Sequence, residues 1–258
     1  MLLTDGDGNR YGVSGSPALC AYRDKLYLVR QGREDSGWMW CAIFDGKTWG
    51  KDKLIPSADK AYGVSGSPAL CVYRDKLHIV HGGRNDSGYI WWATYDVDHD
   101  LWGADQLIPN SAGAYGLSGS PALCVYQDKL QLFHGGRGET GYIWWATYDG
   151  DTNQWGTDKL IPSDDKAYGV SDSPAAHVYE NHIVLLRQGR KNSGWTWCAT
   201  FDGKTWQDGL IPNPGYGVTA SPAVEEYRGK LYCVRQGRHN DGWVWAGVGM
   251  NTLLGPTS

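Results

Sequence analysis

Residues 62–96, YGVSGSPALCVYRDKLHIVHGGRNDSGYIWWATYD, decide the fold. Three short runs rich in Val, Ile, Tyr and Trp are separated by Arg74-Asp75-Lys76 and by a seven-residue glycine-rich break, residues 82–88. A weaker fourth run, Leu101–Ile108, follows a second polar break at residues 96–100. Such runs between Gly, Asp and Asn turns predict antiparallel strands at Pro68–Tyr73, Leu77–His81, Tyr89–Tyr95 and Leu101–Ile108. No stretch of the chain shows a sustained helical period with caps. The passage is one of five copies, which open at Tyr11, Tyr62, Tyr115, Tyr168 and Tyr216 with spacings of 51, 53, 53 and 48 residues.

Four strands in about 50 residues is the size of one propeller blade. The predicted fold class is therefore all-β, a five-bladed β-propeller of four-stranded antiparallel blades. A two-sheet sandwich or a β-solenoid ranks behind it, because solenoid coils use shorter repeats. The repeats fall at about 11–61, 62–114, 115–167, 168–215 and 216–258, read as a single domain spanning 1–258. Residues 1–10 are expected to complete the last blade, since Leu2-Leu3 precede Tyr11 as Leu54-Ile55 precede Tyr62. Leu253-Leu254 could fill the same slot from the other terminus.

Composition narrows the function. The chain has 258 residues and a net charge of −4 with its cations dispersed, which argues against nucleic acid as a partner. No apolar run reaches the roughly 18 residues of a membrane span. The first residues lack the pattern of a secretory signal, so a cytoplasmic location, or export by another route, is the expectation. Cys20, Cys71 and Cys124 share one repeat position, which is His177 and Glu225 in the other copies. Cys41 and Cys198 share a second that is Trp92 and Trp145 elsewhere, and Cys233 stands alone. With no C-x-x-C pair, this predicts buried thiols rather than disulfides or a zinc site. Fourteen Trp and 16 Tyr against 3 Phe favour aromatics with a polar handle, suited to a wet binding surface.

In an antiparallel meander alternate loops share a face. The connection between blades (Tyr-Gly-Val-Ser) and the loop after the second strand (Gly-Arg-x-x-x-Gly) therefore emerge together. That second loop carries the strongest candidate site. Its arginine is Arg33, Arg84, Arg137, Arg190 or Arg238, followed two residues on by Asp35, Asp86, Glu139, Asn192 or Asn240. An aromatic closes it: Trp38, Tyr89, Tyr142, Trp195 or Trp243. A guanidinium, a side-chain acceptor and an aromatic plate match the hydroxyls and the C–H face of a sugar ring. The arginines equally suit a fold-fixing contact to the neighbouring blade, and the Trp40 series, two residues deeper, suits the core. Ser-Pro-Ala reads as structural, since Pro opens a strand without needing a ladder donor. Asp45 and Asp202 begin turns that resemble the sialidase aspartate box with one residue missing.

The chain resembles the lectin β-propellers, notably the five-bladed tachylectin-type lectins and the repeat lectins of fungi and bacteria, in repeat length, copy number and Trp/Tyr/Gly bias. The resemblance is one of architecture, not of motif. It implies one shallow sugar site per blade, agglutination through multivalency and no catalysis, with no cofactor, metal or catalytic residue. The expected function is thus a multivalent carbohydrate-binding lectin, not an enzyme, whose partners are cell-surface glycans. One alternative is a five-bladed glycoside hydrolase with a single site in the central funnel, where Asp172, His177, Glu225 and Glu226 break the repeat. A protein-interaction propeller is the other.

Overall fold

The computed structural model describes residues 3–4, 7–55, 63–109, 116–136, 138, 140–161, 170–211, 218, 220–237 and 243–248. The fold is all-β: five successive antiparallel meanders in a five-bladed propeller arrangement. The chain divides into two compact units, Met1–Pro109 with blades one and two, and Asn110–Ser258 with blades three to five. Among the described residues no helix is long and apolar enough to cross a membrane.

In the first unit, blade one comprises β1 (Ser14–Tyr22), β2 (Lys25–Gln31), β3 (Met39–Phe44) and β4 (Lys53–Leu54), paired in sequence order. Blade two comprises β5 (Ser65–Tyr73), β6 (Lys76–Gly82), β7 (Ile90–Asp96), β8 (Leu101–Trp102) and β9 (Gln106–Leu107). Both β8 and β9 pair with β7, so the predicted fourth strand is real but broken. The break turns Asp105 inward, where it meets His81, and Gly103 N re-enters the ladder on Thr94 O at 2.8 Å. Tyr89 stands outside β7 because its carbonyl closes the preceding loop on Gly83 N at 2.8 Å.

In the second unit, blade three comprises β10 (Ser118–Tyr126), β11 (Lys129–Gly135), β12 (Ile143–Asp149), β13 (Gln154–Trp155) and β14 (Lys159–Leu160). Blade four comprises β15 (Ser171–Tyr179), β16 (His182–Gln188), β17 (Thr196–Phe201) and β18 (Trp206–Leu210). Blade five shows three strands among the described residues: β19 (Ala223–Tyr227), β20 (Lys230–Gln236) and β21 (Val244–Val248). At the other end of the chain Thr4 bridges Arg10. The terminal leucines expected to fasten the ring, Leu3 excepted, lie outside the described residues.

The sequence of each second strand records its position between two neighbours. Ile183 and Leu185 of β16 face blade three, packing with Phe133, Ala122 and Phe201. Val184 and Leu186 face blade five, packing with Leu231, Cys233 and Ile211. All four are fully buried, so the strand is a continuous apolar run rather than an alternation. The cysteines are free, with Cys41, Cys124, Cys198 and Cys233 buried in these packed faces.

Three sets of contacts lock adjacent blades within each unit. The Ser-Pro serine of one blade accepts from its counterpart's amide: Ser16 N to Ser67 Oγ at 2.9 Å, Ser120 N to Ser173 Oγ at 2.6 Å, Ser173 N to Ser221 Oγ at 3.2 Å. The tyrosine ending each first strand donates to the next blade's turn: Tyr22 to Asp75 O, Tyr126 to Asn181 O, Tyr179 to Gly229 O. Val64 N, Val170 N and Val218 N donate to Gly37 O, Gly141 O and Gly194 O of the preceding blade. Ser-Pro-Ala is therefore structural, as its sequence implied.

Candidate functional site

The Gly-Arg loop is a tight turn in which two consecutive residues adopt left-handed backbone: Glu34 and Asp35 (φ 59° and 48°), Asn85 and Asp86 (58° and 50°), Lys191 and Asn192 (55° and 50°). Ser36 N and Ser193 N close it on Arg33 O and Arg190 O at 3.2 Å. Asn and Asp tolerate this conformation better than other side chains, which accounts for their recurrence at the second position. The serine of Tyr-Gly-Val-Ser holds the turn from the inter-blade connection. Ser14, Ser65 and Ser171 Oγ accept from the amides of Asp35, Asp86 and Asn192 at 2.8–3.0 Å. The two loops do share a face.

The arginine lies across two glycines. A Cβ on Gly63 would fall 2.0 Å from Arg84 Cβ, and one on Gly37, in the preceding blade, 2.6 Å from Arg84 Nε. Arg84 Nη2 then donates to Ser36 O at 3.1 Å. Arg190 repeats the arrangement against Gly141, donating to Thr140 O at 2.9 Å with its guanidinium over the Tyr142 ring at 5.3 Å. Arg33 packs likewise on Gly12. Arg84 with its two glycines, and Arg190 with Gly141, thus latch each blade to the one before it. Among the aromatics, Trp38 is half-buried while Tyr89, Tyr142, Trp195 and Trp243 are exposed. Arg137, Glu139, Arg238 and Asn240 lie outside the described residues. The Trp40, Trp91, Trp144 and Trp197 indoles are half-buried and lie against Gly32, Gly83, Gly136 and Gly189, which leaves those glycines no room for a side chain.

A buried ion pair went unnoticed in the sequence. Arg30 grips Asp52 with Nη1–Oδ1 at 3.0 Å and Nη2–Oδ2 at 2.5 Å, and Arg187 pairs with Asp208. In blades two and three the cation position is histidine: His81 Nε2 lies 3.3 Å from Asp105 and His134 Nε2 3.5 Å from Asp158. The signal was available, because each of these aspartates precedes a Leu by two residues in the fourth-strand segment. The Asp45 and Asp202 turns are closed locally, each carboxylate accepting two amides at 2.7–2.8 Å, which holds both carboxyls below the usual range.

Where the repeat breaks, a cavity opens. At the residue immediately before Ser-Pro the backbone is left-handed in every blade, and blades one to three fill it with Gly15, Gly66 and Gly119 (φ 70°, 74° and 70°). Blade four places Asp172 there at φ 67°, and blade five Ala220 at 69°. A non-glycine residue in this region costs on the order of 1 kcal/mol, so the carboxylate is present despite the backbone. It lines a cavity of about 410 Å³ at the junction of blades three and four, with Ser118, Gly119, Arg190, Lys191 and Asn192. Ser173 Oγ donates to Asp172 Oδ1 at 3.2 Å. A smaller cavity, about 110 Å³, adjoins Tyr142, Trp144 and the buried His134–Asp158 pair. His177 and Glu225, the other breaks in the repeat, face each other at 3.7 Å midway along β15 and β19.

No protein-family model and no curated protein matches the sequence. Several solved structures share its fold. An α-L-arabinofuranosidase (CtGH43) from Clostridium thermocellum is similar with a TM-score of 0.59 and 19% identity, over 87% of this chain and 82% of that one. A protein of unknown function from Dyadobacter fermentans reaches a TM-score of 0.71 at 12% identity, over 99% and 83%. A GH43_1 enzyme from Xanthomonas citri, solved with xylose, reaches 0.60 at 14% identity, over 91% and 83%. At such identities the likeness is one of fold.

These comparisons correct the expectation of a lectin that is not an enzyme. Structures that share the architecture include glycoside hydrolases, so the architecture does not imply binding without catalysis. The structure supplies the physical reason. Recurrence of the Gly-Arg motif argued for equivalent sites in every blade, but at Arg84 and Arg190 the latch and the turn account for the motif without a ligand. Symmetry here belongs to the fold, and the departures from it carry the information about function.

Proposed function

We propose that this chain is a glycoside hydrolase that holds its glycan at the junction of blades three and four: Asp172 gives its proton to the glycosidic oxygen as the anomeric C–O bond breaks, and the water that adds to the anomeric carbon returns a proton to Asp172. The observation that carries the reading is Asp172 itself, a carboxylate at a left-handed position that three other blades give to glycine, on the wall of the 410 Å³ cavity. The backbone there is left-handed in every blade and Asp tolerates it better than most side chains, so what sets blade four apart is the charge it brings to the cavity wall. Tyr142, exposed beside Arg190, offers a surface for the C–H face of a sugar ring.

Glycosidases that invert configuration place their two carboxyl groups about 6.5–9.5 Å apart. Glu225 is level with His177, which lies five residues beyond Asp172 on β15. At about 3.3 Å per residue that is roughly 16 Å along the strand, too far for a pair. The cavity lining contains one carboxylate, Asp172, and the reading assigns proton transfer to it and none to Glu225.

The test is release of reducing sugar from a panel of arabinans, xylans, galactans and uronate-containing polysaccharides by wild type, Asp172→Asn and Glu225→Gln. Asp172→Asn is expected to lose about 10²–10⁴ in rate, the usual range for a general acid–base group, while Glu225→Gln stays near wild type. Full activity in Asp172→Asn, or no turnover of any substrate, overturns the reading.

A further inference from the structure

The charge of the Gly-Arg turn changes from blade to blade. It reads Arg33-Glu34-Asp35 in blade one, Arg84-Asn85-Asp86 in blade two and Arg137-Gly138-Glu139 in blade three. Each of these contains a carboxylate to offset the arginine. Blade four reads Arg190-Lys191-Asn192, with no carboxylate and a second cation. Blade five, Arg238-His239-Asn240, loses the acid without gaining a lysine.

Lys191 sits at φ 55°, where blade one has Glu34 (φ 59°), blade two Asn85 and blade three Gly138, so the charge at this position reverses between blades one and four. Lysine has no backbone reason to be there, since its side chain makes no local hydrogen bond that would favour left-handed geometry. Arg190 donates to the Thr140 carbonyl, a neutral acceptor, and rests on the Tyr142 ring. Neither cation forms an ion pair with a described residue. Both line the 410 Å³ cavity together with one carboxylate, Asp172. The junction of blades one and two is a built-in contrast: the same latch, but Gly66 for Asp172 and Asn85 for Lys191.

From this we infer that the junction of blades three and four recognises anionic glycans, with Arg190 and Lys191 gripping a uronate carboxylate or a sugar sulfate ester. The guanidinium supplies directional donors and the lysine ammonium a mobile charge on the same side of the cavity. Asp172 accepts from a neutral hydroxyl of the same or the neighbouring unit and repels a second anion, which limits the site to one anionic group. The inference rests on the junction being the glycan site and names its substrate class.

Binding is measured by calorimetry with oligogalacturonate, its carboxyl-reduced neutral counterpart, and a sulfated oligosaccharide, using wild type, Lys191→Asn and Asp172→Asn. Asn is the blade-two residue at this turn position, so Lys191→Asn keeps the turn. Wild type is expected to prefer an anionic ligand, and Lys191→Asn to weaken it at least about tenfold, the scale of one charged hydrogen bond. The neutral ligand should not respond to that change, and added salt should weaken the anionic ligands alone. Whichever anion responds to Lys191→Asn identifies the source of the charge. Equal affinity for oligogalacturonate and its reduced form, with no preference for the sulfated one, overturns the inference, as does indifference to Lys191→Asn. The ratio of anionic to neutral affinity should not fall in Asp172→Asn, where the altered hydroxyl contact affects both ligands alike, and a fall counts against the inference. Failure of the hydrolase reading is separable, because anionic binding without turnover of any glycan removes the enzyme and leaves this site standing.

Discussion

His78 and Gln131 occupy equivalent positions of blades two and three, and each accepts a hydrogen bond from a tryptophan indole. Trp92 Nε1 donates to His78 Nδ1 at 3.0 Å, and Trp145 Nε1 to Gln131 Oε1 at 2.6 Å. The two side chains solve the same packing problem, but one of them titrates. Burial at 2% exposure holds the His78 imidazole down to about 4, against an ordinary value of 6.5. Between those values the unfolded chain binds the proton and the folded chain does not. The contribution of neutral His78 is therefore whole above pH 6.5 and is lost as pH falls towards 4, by about 3 kcal/mol in all. His78→Gln keeps the acceptor for Trp92 and removes the proton. Its urea midpoint relative to wild type should rise steadily from pH 6.5 to 4, and a difference independent of pH would refute the assignment. In the sequence His78 was one polar residue in an apolar run. The blade-two and blade-three classes were legible from His81 and His134, but the indole that donates to His78 could be seen only in the sheet register.

At the scale of strands, the repeat predicted number, order and direction, and it missed what happens between strands. The Leu101–Ile108 strand was foreseen as one element and is two, because between the Trp102 and Gln106 pairings residues 103–105 stand opposite 93–94 alone, whereas in blade four Asp208 stays in the ladder opposite Ala199. The blade-four counterpart of the His81–Asp105 pair joins β16 to β18 through Arg187 and Asp208, whose side chains are 3% and 6% exposed. A buried pair adds little over a well-packed apolar substitute, but removing one partner strands the other charge. Asp208→Ala should therefore destabilise the protein by about 3–5 kcal/mol, read as a lower urea midpoint. Changing both residues, Arg187→Met with Asp208→Leu, should recover most of that loss. A double variant as unstable as the single one would mean that the element needs the ion pair for its geometry rather than for charge balance. The glycines escaped sequence reasoning in the same way. Gly63 and Gly37 looked like turn residues, whereas their role is to admit the Arg84 side chain from two sides.

Across the whole chain, five copies of a sentence were enough to give the fold class, and the same repetition misdirected the reading of function. A motif present in every blade is what a blade junction needs, so its recurrence cannot distinguish a ligand site from a joint. Asp172 and Lys191 can, because the joint is built without them elsewhere: Gly66 and Asn85 serve at the first junction with Arg84 seated in the same manner. Both departures were visible in the sequence, Asp172 as a noted irregularity and Lys191 as an unremarked one. What the sequence lacked was their convergence on one cavity from β15 and from the turn after β16. This argument makes a quantitative demand on stoichiometry. If the latch is structural and the departures form the site, an anionic oligosaccharide should saturate the protein near one equivalent per chain, because Lys191 occurs in one of the five turns. Sites carried by the repeat would instead saturate near five, and Lys191→Asn would then remove at most one of them. Calorimetric titration to saturation separates the two, and a value near five would return the Gly-Arg turns of every blade to the binding surface.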